Sequence, residues 1–312
     1  MALLIPILVI ILVAMPVALL FFAIGRKDTH KPAKRKKIRI DQNMEKTRKR
    51  NKLALRRARR KILGNAPYEE LEIQARDRVK LYGEFFPNRS GKLVILIHGY
   101  TGSPEEMKDI GAKYYEKGYS LFFPYLRGHG KSGGRFIGMG VLDALDILEW
   151  IKWIKENKRV TDVVLHGESM GAATAMMASY KSPENVRAIV EDSGYTSVYD
   201  IFALQMKELF HLPPFPILDI VNLYSKLFAH YSFKRKSPRD AMSKTTIPVL
   251  FIHGSADTFV PTTMAYELYE NKSDEKELLI VKGARHVYSV QVDPEGYFAC
   301  LWKFLGKYVE SK

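Results

Sequence analysis

The chain has 312 residues, of which 46% are apolar and 27% charged, which is the composition of a globular protein with one large or two ordinary domains and excludes a disordered one. A single cysteine, Cys300, excludes an intramolecular disulfide framework and most cysteine-based metal sites; in a helix-like C-terminal stretch it reads as a small core residue. The formal charge of +15 suggests a nucleic-acid partner until it is located: residues 26–61 hold 18 Lys/Arg against three acids, and residues 62–312 hold 31 of each sign. The globular part is neutral, so no nucleic acid is expected.

Taken in chain order, Ala2 to Ile24 contains no charged residue. As a helix it reaches about 35 Å, enough for a bilayer core of about 30 Å. Pro6 and Pro16 disfavour a soluble helix and are tolerated in membrane spans. No basic residue precedes the run and a dense basic block follows. This predicts an uncleaved transmembrane anchor over 1–25, single-pass in the cell membrane, with the rest of the chain in the cytoplasm. Residues 26–64 read as a basic juxtamembrane linker or helix, with Leu55, Ala58 and Ile62 on one possible helical face and the cations turned to anionic lipid head groups.

From residue 65 onward, short apolar runs alternate with longer periodic segments. "LEIQA" and "VKLYGEFFP" read as an antiparallel opening pair. "KLVILIHG", "YSLFFPY", "DVVLHG", "VRAIVED", "IPVLFIHG" and "KELLIVKG" read as further strands, several of them apolar throughout, as a sheet covered on both faces requires. Helical patterns lie at 103–117, 141–157, 170–180, 262–269 and 294–309. The alternation predicts a doubly wound, mostly parallel α/β sheet over 65–312. One stretch, 195–240, breaks it with helices expected at 198–210 and 217–229, separated by the breaker "HLPPFP". Its place before the penultimate strand predicts a helical cap, and its apolar side chains Phe202, Met206, Phe210 and Phe215 are candidates for substrate contact.

The chemistry centres on "HGESMG". Ser169 lies between an expected strand and an expected helix, with Gly167 and Gly171 giving room for a tight turn and Ala172 and Ala173 for close helix–sheet packing. A serine hydroxyl needs a base, and the base needs orienting. Of eight histidines, His98, His166 and His253 each end an apolar run before a glycine, where packing is the ordinary role. His286 lies in a loop after the last strand, where it can reach the carboxyl end of the sheet. Asp257 follows the penultimate strand in "GSADTFVP", with Asp192 as the reserve acid. An oxyanion hole is expected from the backbone N–H groups of Met170 and Tyr100. G-x-G-x-x-G at Gly128–Gly133 lacks a following helix start, and "GKS" lacks the earlier glycine of a P-loop.

Together "HGYTGS", "LRGHGKSGG", "GESMG", "GSADTFVP" and "GARH" resemble the α/β-hydrolase superfamily, and the chain is similar to its bacterial membrane-anchored, esterase-like members with a two-helix insertion. The resemblance implies an eight-stranded sheet with helices on both faces and a small cap. It implies a serine hydrolase using Ser169, Asp257 and His286, with no metal or organic cofactor. Arg285 stands where many relatives have glycine. The expected substrate is a small acyl or aryl ester, cleaved through an acyl-enzyme. A serine peptidase, a lysophospholipase or monoacylglycerol lipase, and an acyltransferase use the same residues. A non-enzymatic membrane-surface module is the reading from another class.

Overall fold

Side-chain alternation sorts each central strand onto two helical layers. The computed structural model describes residues 14–26, 42–181 and 183–310. Its strands are β1 (Glu69–Gln74), β2 (Lys80–Phe86), β3 (Lys92–Ile97), β4 (Ser120–Pro124), β5 (Asp162–Glu168), β6 (Val186–Asp192), β7 (Val249–Gly254) and β8 (Lys276–Val281). They form one sheet in the order β1-β2-β4-β3-β5-β6-β7-β8. The β1–β2 and β2–β4 pairs are antiparallel and all the others parallel. The mostly parallel, eight-stranded sheet expected from the apolar runs is therefore present.

The helices are α1 (Met15–Ile24), α2 (Gln42–Leu63), α3 (Pro104–Glu116), α4 (Val141–Asn157), α5 (Met170–Ala178) and α6 (Val198–Gln205). They continue with α7 (Ile217–Phe228), α8 (Pro238–Met242), α9 (Thr262–Asn271), α10 (Ser289–Val292) and α11 (Pro294–Leu305). On β3, Leu93, Ile95 and Ile97 join the core beneath α4 and α5, whereas Val94 and Leu96 join the core beneath α3 and α11. A strand with both faces covered has no polar side to offer, which is why "KLVILI" shows no alternation. Each such side chain contributes roughly 1.5–3 kcal/mol on burial.

Between β6 and β7 the chain leaves the sheet. α6 runs on through a wider turn over Met206–Phe210 and stops at His211, whose φ is +54°. Pro213, Pro214 and Pro216 prevent the helix from continuing, and α7 then returns. The side-chain carbonyl of Asn222 accepts the N–H of Phe233 at 2.8 Å, fixing the exit of this insertion.

The two N-terminal expectations come out differently. Residues 1–13 of the expected membrane span lie outside the described residues. The remainder, α1, packs on the globular part: Leu20 and Ile24 are fully buried, and Phe21 meets Phe136 at 5.2 Å between ring centroids. The Ile137 N–H donates to the Ile24 carbonyl at 2.7 Å, and the Arg26 guanidinium donates to the Ser132 and Gly130 carbonyls. Among the described residues no helix is long and apolar enough to cross a membrane. The reason for the difference is physical: lipid and protein core ask for the same side chains, and α1 finds its apolar partners on the domain.

The basic block also departs from a lipid-facing linker. Residues 27–41 lie outside the described residues, but α2 is a 22-residue helix with Leu55 and Leu63 buried in the α3–α11 layer. Arg59 pairs with Glu105 on α3 at 2.8 Å, and Arg48 donates to Gln291 on α10 at 2.8 Å. Its cations thus surround an apolar seam that docks on the protein.

Candidate active site

β5 points its C-terminal end at the front of the sheet, and the chain reverses there into α5 within one residue. That residue, Ser169, has φ +56° and ψ −115°, a left-handed conformation costing a non-glycine residue about 1–3 kcal/mol. Closeness of helix and sheet explains the flanking glycines: a Cβ on Gly171 would lie 2.0 Å from the Ile97 carbonyl oxygen, and one on Gly167 would lie 2.1 Å from the Gly171 carbonyl oxygen. The Ser169 N–H donates to the Asp192 carbonyl at 2.8 Å, holding the bend against β6.

Three side chains meet in series at this bend. The Ser169 hydroxyl donates to His286 Nε2 at 2.9 Å, and His286 Nδ1–H donates to Asp257 Oδ2 at 2.7 Å. Asp257 Oδ1 in turn accepts the N–H groups of Phe259 and Val260, both at 2.9 Å. All three residues are at most 8% exposed. Burial pushes the Asp257 carboxyl up, but hydrogen bonds from His253 and His286 outweigh it and hold the group well below the usual carboxylate range. An ionised Asp257 fixes the His286 proton on Nδ1 and leaves Nε2 free to accept from serine.

The other expected site residues take varied places. Asp192 does not reach His286: it accepts the Ser193 hydroxyl at 2.8 Å, and Ser193 in turn accepts the Val287 N–H, next to His286, at 3.3 Å. Burial raises its carboxyl to about 6. Met170 opens α5, so its N–H has no intrahelical acceptor. Tyr100 stands in the turn closed by Gly102 N–H to Gly99 O, and a Cβ on Gly99 would meet the Ser169 Cβ at 3.3 Å, so this loop abuts the serine. The Tyr100 hydroxyl donates to the Ala23 carbonyl at 2.7 Å, tying α1 to the same loop. In the cap, Phe202 packs edge-on to Phe233 at 5.1 Å, and Met206 packs on the main core. Phe210 meets Phe22, and Phe215 is 75% exposed; both stand on the outer surface.

The three strand-end histidines separate clearly. His166 is buried between the hydroxyls of Tyr114 and Tyr297, both at 3.0 Å, and burial lowers it to about 3. His98 accepts the Leu126 N–H at 3.2 Å. His253 is different: its Nε2 lies 2.8 Å from the Val260 carbonyl and 3.3 Å from Asp257 Oδ2. Burial depresses it, but the hydrogen bond to Asp257 and the charge of Glu191 raise it overall. The sequence reading assigned His253 to packing. Its four-residue spacing from Asp257 across a tight strand-end turn was the available signal. Phe259 was missed as well; its ring lies 4.9 Å from that of His286, and its carbonyl accepts the Gln205 amide of α6 at 2.9 Å.

Known proteins are similar to this chain in sequence or in fold. The uncharacterized protein YqkD of Bacillus subtilis is 27% identical over 228 residues, 72% of this chain and 74% of its own. The Pyrococcus furiosus esterase Pf2001 superimposes with a TM-score of 0.66 at 26% identity, over 91% of this chain and 99% of its own. Est1E from Butyrivibrio proteoclasticus, solved with ferulic acid, has the same fold, with a TM-score of 0.63 at 23% identity over 77% and 100% of the two chains. The family model described as serine aminopeptidase, S33, matches residues 88–244, half of the chain, from β3's approach through the serine turn to the end of the insertion. The chain therefore belongs to the serine aminopeptidase S33 family of α/β-hydrolases, and it is an enzyme, a hydrolase.

Proposed function

We propose that this hydrolase cleaves carboxylic esters of moderate size through Ser169, His286 and Asp257. The observation that carries the reading is the hydrogen-bonded series from the strained Ser169 hydroxyl through His286 to an ionised Asp257. His286 Nε2 takes the hydroxyl proton as Ser169 Oγ attacks the acyl carbonyl. The N–H groups of Met170 and Tyr100 then receive the oxyanion, as the place of the serine at a helix start beside the Gly99–Gly102 turn suggests. His286 returns the proton to the departing alcohol oxygen and next deprotonates the water that releases the acid. Phe259 over His286, with Phe202 and Met206 of the cap, is placed on the apolar side of the substrate.

The esterase reading is favoured over a peptidase by likeness to Pf2001, an esterase. Labelling with a fluorophosphonate and a panel of acyl and aryl esters of graded size test it. The expected outcome is modification at Ser169, with ester turnover falling by several orders of magnitude in Ser169→Ala. Unlabelled, folded protein refutes the mechanism, and faster cleavage of peptide amides than of esters refutes the substrate class.

We also propose that the chain is held at the cytoplasmic face of the cell membrane. The uncharged residues 2–24 and the excess of 15 positive charges over 26–61 support this. Protease added to intact cells leaves the hydrolase domain uncut if the proposal holds.

A further inference from the structure

A cap helix needs one apolar face, turned to the core, and a polar one turned to water. α7 has two apolar faces. Leu218 and Val221 are buried inward, while Leu223, Leu227 and Phe228 are at least half exposed on the outside. Of the thirteen exposed large apolar side chains among the described residues, seven lie between Leu209 and Phe228. An eighth, Phe22 on α1, is 62% exposed and meets Phe210 edge-on at 6.0 Å, so α1 and the cap form one continuous apolar surface. Patches of this kind mark contact with a partner or a membrane.

Charge decides between the occupants. Lys207 and Lys226 are exposed within the segment that carries the patch, Lys226 between Leu223 and Leu227 in sequence, against one exposed acid there, Glu208. A second copy docked on this face would bring the cations of both copies into one apolar seam with few acids to neutralise them. Anionic lipid head groups would neutralise them while acyl chains cover the leucines and phenylalanines. The chain before α1 agrees with this, since residues 2–13 carry no charge and directly precede α1 in the sequence.

We propose that the outer face of the cap, together with α1, docks on an anionic bilayer surface and that the enzyme draws its ester from the lipid phase. The second half rests on the esterase reading above. α1 also touches the Tyr100 loop, through the Ala23 carbonyl, so the docked surface adjoins the loop proposed to receive the oxyanion.

The test uses the full chain carrying Phe215→Trp, mixed with vesicles of phosphatidylglycerol and phosphatidylcholine whose acyl chains are brominated. Docking shifts the emission gained over the wild type, which has Trp150, Trp153 and Trp302, to the blue and quenches it at least twofold. Both effects weaken in vesicles of phosphatidylcholine alone. An unquenched signal overturns docking whether or not the protein is an esterase, and so does a blue-shifted signal before lipid is added, which would mean that the chain itself or a second copy covers the face. For delivery of substrate, Leu223→Glu with Leu227→Glu keeps turnover of a water-soluble short-chain ester within twofold. The same double variant lowers turnover of a monoacylglycerol held in the vesicles at least tenfold. Equal loss on both esters, or loss on neither, overturns delivery from lipid. Absence of turnover on both by the wild type overturns the esterase reading and leaves the quenching result standing.

Discussion

Replacing Asp257 by asparagine keeps the heavy-atom count of the side chain and yet turns one of its two accepting ends into a donor. Asp257 Oδ1 accepts two buried backbone N–H groups, from Phe259 and Val260, and Oδ2 faces His286 Nδ1 and His253 Nε2. Asparagine has one accepting end and one donating end. Turning its NH2 toward the two backbone donors would leave both unsatisfied, at about 1–3 kcal/mol each. The amide oxygen therefore takes the Oδ1 place, and the NH2 points at His286. The ring must then accept at Nδ1 and carry its proton on Nε2, where it meets the Ser169 hydroxyl as a donor and cannot take its proton. In serine proteases the corresponding tautomer error costs about 10⁴ in kcat, near 5.5 kcal/mol of barrier. The expected result is that loss in kcat for Asp257→Asn on a chromogenic ester, with a cooperative melting transition retained. Folded Asp257→Asn with activity within tenfold of wild type refutes the reasoning. So does a comparable loss in Asp192→Asn, because Asp192 is partly protonated near its raised value of about 6 and makes no bond to His286.

Other substitutions read out neighbouring features. Ser169→Gly removes ester turnover but relieves the φ of +56°, and is expected to raise the unfolding free energy by about 1 kcal/mol, measured by urea denaturation. His253→Leu removes a donor, or a cation when protonated, from beside Asp257; kcat is expected to fall about five- to thirtyfold with KM little changed. The freed carboxylate holds the His286 proton more strongly, so the acid limb of the pH–rate profile moves to higher pH, and His253→Gln restores it in part; an unmoved limb refutes a positioning role. Burial raises Glu191 to about 7, well above an exposed glutamate. The folded state then binds more protons than the unfolded one between about pH 4 and 7, so this group lowers stability as pH rises through that window, by on the order of 3 kcal/mol. Glu191→Gln keeps the acceptor for the Gly194 N–H and is expected to flatten that decline in melting temperature; parallel profiles for the two proteins count against it.

How much the sequence disclosed depended on whether the signal was local. Strands buried on both faces are apolar along most of their length, so β3, β5 and β7 were legible as runs, and the insertion was legible because three prolines break its helices. The serine bend was legible because glycine is the only residue that fits where a Cβ would meet backbone at about 2 Å. His253 was not, since "FIHG" looks like the strand ends bearing His98 and His166, and only the turn that follows brings it to Asp257. Composition did not disclose the docking of the two N-terminal helices, for two reasons. The α1 run satisfies lipid and core equally, and in α2 two buried leucines among ten Lys/Arg fix the docking while the cations dominate the average.

The docked basic helix bears on where this enzyme can be trimmed. Glu45 and Arg48 form an ion pair at 2.6 Å, Arg48 lies 4.3 Å over the Tyr288 ring, and the Asn51 amide donates to the Gln291 carbonyl at 3.0 Å. Met44 fills the space beside Gly283. These contacts clamp the 283–291 segment that carries His286. A shortened chain beginning at residue 65, where the first strand pattern opens, would keep every strand and the three site residues and still lose the outer brace of His286; one beginning at residue 42 would keep it. What precedes the sheet is thus part of the folded unit: α2 braces the segment that carries His286, and α1, which a start at residue 42 would remove, buries Leu20 and Ile24 in the main core.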